Sequence, residues 1–338
     1  MNSPAVCTSI TATLCATLAF ASTQAMAAKP GGGGSTDCTA AVDFPAFAYW
    51  KPSGKTMQIL VADAKGTCIR SVITSSGTGG TIQFSYPVSG TSNRGRVVWV
   101  AAPAVVSVDF TVDAVTKQIT VLAKKMIYSR TGGFISLSKD GSNLYSTRYP
   151  DTGGLVIDKQ ALDFDGKSTG LPTTVFVAPN GSNVQTISVN STEEYLVADY
   201  HPAPGAPTAP YQLVWVPLNG SNAVYLIDEH SAQVEFTPAA NPSLPARVVS
   251  SDYIPVDSRN GGGCDRLVVR DITGNVIPDV GPPAYGVSPT WLNDTVVLAD
   301  GRRANSTNGC EYSGTIMQLD LVSGVQTALT SGYAPDGK

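Results

Sequence analysis

The sequence predicts an all-β protein, and three observations support this fold class. The 338 residues include 33 Gly and 23 Pro, whereas only 14% are charged, which is typical of many short strands joined by tight turns. No segment has a convincing amphipathic helical pattern. The third observation is a unit of short strands that repeats along the chain, and such a repeat predicts a β-propeller. We expect six four-stranded blades, closed by strands from both chain ends.

The C-terminal segment, residues 288–338, shows the repeated unit most clearly. It opens with Ser-Pro-Thr-Trp, continues with two strand-like runs and an Asp-x-x-x-Gly turn, and closes with Pro-Asp-Gly-Lys. The preceding segments follow a similar order of strands and Gly-containing turns. The six units cover about 44–74, 96–128, 133–166, 173–228, 247–278 and 288–338. Their spacing is that of propeller blades of about 40–50 residues, and closure of the ring requires the last unit to meet the first.

Four short motifs carry a resemblance to a known family. They are Pro-Ser-Gly-Lys at 52–55, Ser-Pro-Thr-Trp at 288–291, Leu-Thr at 329–330 and Pro-Asp-Gly-Lys at 335–338. This pattern resembles the WD40-like repeat of TolB-type β-propellers. The resemblance implies a periplasmic, non-catalytic scaffold whose partners dock on the propeller. TolB itself has an α/β domain before its propeller, whereas a Gly-rich stretch here leads directly into predicted strands, so the resemblance is to the propeller alone.

The N-terminal residues predict export. An apolar stretch over residues 10–27 ends in Ala-Met-Ala, the small-residue pattern of a secretory cleavage site, although no Lys or Arg lies near Met1. We expect a signal peptide over 1–28, a flexible Gly-rich linker over 29–37 and the propeller over 38–338. The mature protein would be periplasmic or secreted, and it has no run of about 18 apolar residues that could form an integral membrane segment.

Charge limits the class of partner. The chain has 22 Lys and Arg against 26 Asp and Glu, a net charge of −4, so it lacks the basic field that gathers nucleic acid. We expect a monomer without a cofactor that binds a protein partner or an extracellular ligand.

Four of the six cysteines remain after the predicted cleavage, namely Cys38, Cys68, Cys264 and Cys310. An even number of cysteines in an exported chain predicts two disulfides. Four cysteines allow three connectivities, of which sequence proximity favours Cys38–Cys68 with Cys264–Cys310. The competing Cys38–Cys310 bond would tie the two chain ends together. A zinc site is the weaker alternative, because no Cys-x-x-Cys spacing occurs and neither histidine lies near a cysteine.

Two histidines, each near an acid, are the main candidates for chemistry. Asp199 and His201 lie where a predicted strand enters a Pro-rich loop, and Asp228 and His230 follow another predicted strand. An acid beside a histidine can serve acid–base catalysis or bind a metal. A solvated strand end with an ordinary imidazole is the commoner explanation of such a pattern.

Three further patterns are weaker. The adjacent Glu193 and Glu194 could suggest a glycosidase pair, but alternate side chains of a strand point to opposite faces. The Asp-Phe-Asp-Gly stretch at 163–166 has some features of a calcium loop, and a plain turn explains it better. The tryptophans on or beside predicted strands are expected to pack blades, with a sugar-stacking platform as the alternative. They are Trp50, Trp99, Trp215 and Trp291.

These observations favour an exported, non-catalytic propeller that binds a partner through its loops or channel mouth. The alternative is an exported polysaccharide-active enzyme, a hydrolase or lyase, whose acids and histidines converge at the channel. A purely structural or cell-surface module is a third possibility. Carboxylates and histidine gathered at the channel would favour the enzyme, whereas an apolar, aromatic rim would favour a binding protein.

Overall fold

The computed structural model describes residues 38–75, 80–101, 104–128, 133–150, 154–179, 182–202, 212–229, 232–236, 247–257, 262–277, 286–305 and 309–337. All of these residues belong to one compact unit that spans residues 34–338. Every regular element within the described ranges is a β-strand, so the all-β prediction is confirmed. The predicted signal peptide and linker, residues 1–37, lie outside the described residues.

Four of the sheets have four antiparallel strands each. Sheet 1 contains β1 (Phe47–Ser53), β2 (Thr56–Ala62), β3 (Ile69–Ser75) and β23 (Tyr333–Gly337), in the order β23-β1-β2-β3. Sheet 2 contains β4 (Ile82–Ser85), β5 (Arg94–Ala101), β6 (Ala104–Val112) and β7 (Ile119–Tyr128), in chain order. Sheet 3 contains β8 (Ile135–Leu137), β9 (Asn143–Arg148), β10 (Val156–Ala161) and β11 (Thr173–Val177), also in chain order. Sheet 4 contains β12 (Asn183–Val189), β13 (Tyr195–His201), β14 (Gln212–Pro217) and β15 (Tyr225–Asp228).

The remaining strands form sheet 5, which has seven members. They are β16 (Ala232–Phe236), β17 (Arg247–Asp257), β18 (Gly262–Asp271), β19 (Gly286–Asn293), β20 (Val296–Asn305), β21 (Gly309–Asp320) and β22 (Gln326–Ser331). Their order is β16-β17-β18-β21-β20-β19, with β22 also paired to β21. One parallel pair, Gly263 opposite Gly309, joins the two antiparallel halves of this sheet. The prediction of six separate blades is therefore not confirmed: the described residues form five sheets, because this pair merges the last two predicted units.

The sheets are arranged as a closed propeller. The first strand of each unit contacts the first strand of the next, in the sequence β4, β8, β12, β16 and β19, and β19 then contacts β23. The C-terminal strand β23 contacts β4 and pairs with β1, so that Phe47 lies opposite Gly337. This confirms that strands from both chain ends share one blade.

Three predicted boundaries need correction. The fifth unit begins before residue 247, since β16 at Ala232–Phe236 pairs with β17. Residues 173–177 do not begin the fourth unit, because β11 pairs with β10 and forms the outer strand of sheet 3. The second unit begins before residue 96, since β4 at Ile82–Ser85 pairs with β5. All three errors concern short strands that only their pairing partners identify.

Sheet 1 illustrates how the blades pack. Along β1, Ala48 and Trp50 face a cluster shared with sheet 2, whereas Phe47 and Tyr49 face a cluster shared with sheet 5. Alternate residues of a strand point to opposite faces, and both faces of this blade are covered, so the whole run is apolar. Trp50 also contacts Trp99 of sheet 2 edge-on, with ring centroids 6.3 Å apart. Trp50, Trp99 and Trp291 are all buried, in agreement with the expected packing role.

A recurring turn follows the third strand of each repeated unit. A side-chain oxygen of Asp or Asn accepts hydrogen bonds from backbone N–H groups two to five residues further on. In the described residues this turn occurs at Asp63, Asp113, Asp163, Asn219, Asp271 and Asp320. The last two lie in sheet 5, where two predicted units are joined.

The disulfide Cys38–Cys68 is present, with the two Cα atoms 5.0 Å apart. It confirms one of the two pairings that sequence proximity favours and fixes the start of the described chain to the turn before β3. The side chains of Cys264 and Cys310 lie outside the described part of the structure.

Candidate functional site

Asp228, one of the predicted candidates, lies between sheets 4 and 5 in an ionic cluster. Its Oδ2 is 2.6 Å from Nη2 of Arg270, and Oδ2 of Asp252 is 2.6 Å from the same nitrogen. Nη1 of Arg270 donates a further hydrogen bond of 2.9 Å to Oγ of Ser250. One guanidinium therefore holds two carboxylates from adjacent sheets, and a predicted acid is engaged in joining blades.

Asp199 and His201 lie on β13, in the same corner of sheet 4. Asp199 is buried and lies opposite Leu213 of β14, which in turn lies opposite Asp228 of β15. Two strand spacings, about 10 Å, separate the backbones of the two acids. His201 is half-buried at the end of β13, opposite Asn183. The structure thus places three of the four predicted residues in one corner, while His230 lies outside the described residues.

The predicted calcium-like stretch at 163–166 is a structural turn that Arg94 and Arg96 contact. Oδ1 of Asp163 accepts hydrogen bonds from the backbone N–H groups of residues 165 and 167. Asp165 pairs with Arg94, whose guanidinium also lies 4.2 Å from the ring centre of Phe164. The plain-turn interpretation is favoured, because an arginine occupies the place beside the carboxylate that a cation would need.

Arg96 makes the most deeply buried of these contacts. Its side chain is 0% exposed, and Nε and Nη2 donate to the two carboxylate oxygens of Asp109 at 2.8 and 2.9 Å. It also donates to the carbonyls of Gly141, Asp163 and Phe164 in sheet 3. Buried charge is tolerated when it is paired and fully hydrogen-bonded, so this group joins sheets 2 and 3.

The backbone conformation and the surroundings of Gly166 explain why the turn ends in glycine. Its φ of 73° lies in the left-handed region. A Cβ there would lie 3.1 Å from Oδ1 of Asp109 and 3.2 Å from Nε of Arg96. Glycine is therefore required both by the backbone conformation and by the close approach of the arginine pair.

Glu193 and Glu194 do not form a catalytic pair. Glu193 reaches sheet 3, where it accepts hydrogen bonds from Asn143 at 3.0 Å and from the hydroxyl of Tyr145 at 2.6 Å, and pairs with Lys159 at 2.8 Å. Glu194 instead contacts Thr192 within its own exposed turn. Burial, together with the Glu193 carboxylate, raises the pKa of Tyr145 well above its usual range.

Polar side chains on the first strands of the units also join neighbours, and sequence reasoning missed them. Each accepts a hydrogen bond from the backbone N–H of the next such strand around the ring. The four contacts are Gly337 N–H to Thr290 at 3.0 Å, Phe84 N–H to Asp336 at 2.5 Å, Leu137 N–H to Gln83 at 2.9 Å and Val189 N–H to Ser136 at 3.0 Å. The available signal was a single polar residue flanked by apolar ones in a short strand, as in Ile-Gln-Phe at 82–84 and Ile-Ser-Leu at 135–137.

An aromatic patch, formed by Tyr195, Trp215 and Tyr225, lies on sheet 4 beside sheet 5. The Tyr225 ring stacks on Trp215 with centroids 4.1 Å apart, and Tyr195 meets Trp215 edge-on at 5.2 Å. The inner side of the patch packs against the buried cluster that includes Leu213 and Val248. Tyr225 is 46% exposed, so Trp215 differs from the three buried tryptophans in supporting a solvent-facing ring.

Two general features complete the description of the site. Within the described residues, no three His, Cys, Asp or Glu side chains are gathered as a metal site would require. The same part of the chain contains no helix that is long and apolar enough to cross a membrane.

Comparison with solved structures identifies the fold. TolB from Acinetobacter baumannii superposes with a TM-score of 0.54 at 12% identity, covering 86% of this chain and 65% of that one. A putative TolB from Agrobacterium tumefaciens gives 0.47 at 9% identity, covering 79% and 86%. A puromycin hydrolase mutant gives 0.46 at 13% identity, covering 88% and 55%.

Sequence comparisons add no relative. No protein-family model matches the chain, and no curated protein matches it. The chain spans 65% of the length of the Acinetobacter TolB structure, and at 12% identity the likeness concerns the fold. The five sheets closed by β23 and this superposition together give the conclusion that the chain has a TolB-like β-propeller fold.

Proposed function

We propose that this protein is an exported, non-catalytic β-propeller scaffold that binds a protein partner or extracellular ligand through a surface that includes the outer strand of sheet 4. The observation that carries the proposal is the aromatic patch at the outer strand of sheet 4. Tyr225 is 46% exposed and its neighbour Leu226 is 51% exposed. Exposed aromatic residues held on a rigid sheet are typical of interaction surfaces, because they bury a large area with little loss of conformational freedom.

Several carboxylates are paired with cationic or hydroxyl side chains of the protein itself, which supports a scaffold rather than an enzyme. Asp228 and Asp252 are held by Arg270, Asp165 by Arg94, and Glu193 by Lys159 and Tyr145. A general acid or base must keep its carboxyl group within reach of a substrate. Carboxylates that instead join blades suit a rigid frame that presents a binding surface.

Export is part of the proposal. The Ala-Met-Ala pattern before residue 28 favours a cleaved leader, and the Cys38–Cys68 disulfide suits an oxidising compartment. A monomer in the periplasm or outside the cell is the expected state of the mature protein.

Site-specific photo-crosslinking tests the binding proposal. A benzophenone amino acid replaces Tyr225 in the full-length protein, expressed in its own cells, and adducts are read on denaturing gels. The matched control places it at Val322, which is 81% exposed in the turn after β21. We expect a discrete adduct from position 225 that disappears with Trp215→Ala, and none from position 322. Identical patterns from both positions, or no adduct from 225, would contradict the proposal.

The polysaccharide-active enzyme is the second candidate, because Asp199, His201 and Asp228 share one corner of sheet 4. Its test is the release of reducing ends or unsaturated products from a panel of soluble polysaccharides. Our proposal predicts no release above the blank. Release that is lost in Asp199→Asn and retained in Asp43→Asn, a change at an exposed acid, would replace the scaffold by the enzyme.

A further inference from the structure

Sheet 5 contains two hairpins that are longer than the corresponding hairpins of the other sheets. β17 and β18 have 11 and 10 residues, and β20 and β21 have 10 and 12. The middle strands of sheets 1 to 4 have six to nine residues. Pairing within the long hairpins continues to Asp257 opposite Gly262 and to Asn305 opposite Gly309. Both hairpins therefore extend the sheet in the same direction, at adjacent places in the ring.

The two hairpins touch at one register position. Gly263 of β18 lies opposite Gly309 of β21 in a parallel pair. Cys264 and Cys310 each directly follow a member of this pair, on strands that run in the same direction. Residues that follow a parallel pair stay in register, and neighbouring strands lie about 4.8 Å apart. That spacing is within the Cα separation of about 4.4–6.8 Å that a disulfide needs.

The predicted mature chain has two other cysteines, and they are already bonded to each other. Cys38 and Cys68 are bonded together at the turn before β3. We infer that Cys264 and Cys310 form a second disulfide, which fastens the two long hairpins into one extension of the propeller. Gly262, Gly263 and Gly309 permit the close approach of the two backbones.

The bond forms by thiol–disulfide exchange with an oxidised dithiol protein or a small disulfide such as oxidised glutathione. One cysteine thiolate attacks the disulfide of the oxidant and releases its first thiol. The second cysteine thiolate then attacks the resulting mixed disulfide, forms the bond between the two cysteines and releases the second thiol of the oxidant. The two cysteines together lose two protons and two electrons, and the oxidant is released as two thiols. In cells this step depends on the proposed export, whereas purified protein exposed to oxidised glutathione tests the placement of the cysteines alone.

Non-reducing peptide mapping is the direct experiment. The purified protein is incubated with oxidised glutathione, blocked with N-ethylmaleimide and digested with trypsin. We expect residues 260–266 linked to residues 304–338, at the summed mass less two hydrogens, with the link lost on reduction. Both peptides carrying N-ethylmaleimide, or a link from either of them to the peptide 66–70, would overturn the inference. The same link in protein taken directly from the periplasm or medium reports export separately.

Serine variants give a second readout. Cys264→Ser should make Cys310 newly reactive to maleimide, and Cys310→Ser should do the same for Cys264. Cys68→Ser is the matched control, since it should expose Cys38 and leave the other two blocked. We expect each hairpin variant to unfold about 5 °C or more below the parent, with no further loss in the double variant. Additive losses, or a Cys310 that stays blocked in Cys264→Ser, would contradict the bond.

Discussion

Two arginine clamps join neighbouring sheets of this propeller, and they differ in their access to solvent. Arg96 joins sheets 2 and 3 with a fully buried side chain that binds Asp109 and three backbone carbonyls. Arg270 joins sheets 4 and 5 through the carboxylates of Asp228 and Asp252. The side chain of Asp228 is 28% exposed, so water reaches the second clamp.

The difference shows what each clamp can do. A fully buried guanidinium has no alternative to its protein partners, so the clamp at Arg96 fixes the relative position of two blades. Ionic contacts that water reaches contribute less to stability and respond to salt. The clamp at Arg270 lies at the same sheet interface as the aromatic patch, which makes the interface between sheets 4 and 5 the more adaptable of the two.

Removing the buried guanidinium should have the largest effect. Arg96→Met leaves the Asp109 carboxylate buried with only Arg94 as a cationic partner, and we expect a loss of about 3–5 kcal/mol in the free energy of unfolding. Urea unfolding followed by tryptophan fluorescence measures it. Arg266→Met, a change at an exposed arginine, serves as the control and should stay within about 0.5 kcal/mol. A loss below about 1 kcal/mol for Arg96→Met would contradict the role given to the buried guanidinium.

The matching change at the second clamp should cost less. We expect Arg270→Met to lose about 1–3 kcal/mol, because its carboxylate partners can regain water. The free energy of unfolding of each variant is compared with that of the parent at low and high salt. Raising NaCl from about 0.05 to 0.5 M should reduce the difference for Arg270→Met and leave the difference for Arg96→Met unchanged. If both differences in the free energy of unfolding depended equally on salt, the distinction between a buried and a solvent-accessible clamp would be wrong.

A third interface, between sheets 3 and 4, is joined by a neutral hydrogen-bond donor, the hydroxyl of Tyr145, instead of an arginine. Tyr145→Phe removes the hydrogen bond to Glu193, and we expect a loss of about 1–2 kcal/mol near pH 7. The folded-state pKa of Tyr145 is raised, chiefly by burial, above the unfolded value near 10. Its stabilising contribution is therefore complete below pH 10 and lost as the pH rises above it. The urea midpoint should fall more steeply above pH 10 in the parent than in Tyr145→Phe, and parallel curves would contradict this.

The recurring turns should show the smallest effect. Asp271 is partly exposed, and hydrogen bonds from Thr273 and Asn275 lower its pKa below the usual value. Asp271→Ala should therefore cost less than about 1 kcal/mol at neutral pH. Because the folded pKa is lowered, this contribution is present above about pH 4 and disappears as the pH falls through the folded value. Thermal unfolding at pH 7 and pH 3 measures it, and a larger difference between parent and variant at pH 3 would refute the assignment.

The sequence predicted local structure better than it predicted contacts. The Asp-containing turns and the β-branched strands depend on residues within about five positions, so the strands of sheet 1 were predicted closely. The number of blades depended on the pairing of Gly263 with Gly309, which no local pattern indicates. Likewise, the partners of Arg96 at residues 141, 163 and 164 are 45 to 68 residues away. The aromatic patch was missed because only strand register places Tyr225 opposite Trp215.

The pairing of β23 with β1 also determines when the propeller ring can close. The strand that finishes sheet 1 begins at Tyr333, so a growing chain on the ribosome lacks it until all the other described strands have been made. Sheets 2, 3 and 4 draw all their strands from contiguous segments and can fold as those segments appear. Ring closure therefore follows the synthesis of the other described strands, and until it occurs the edge of β1 stays open to pairing with other chains.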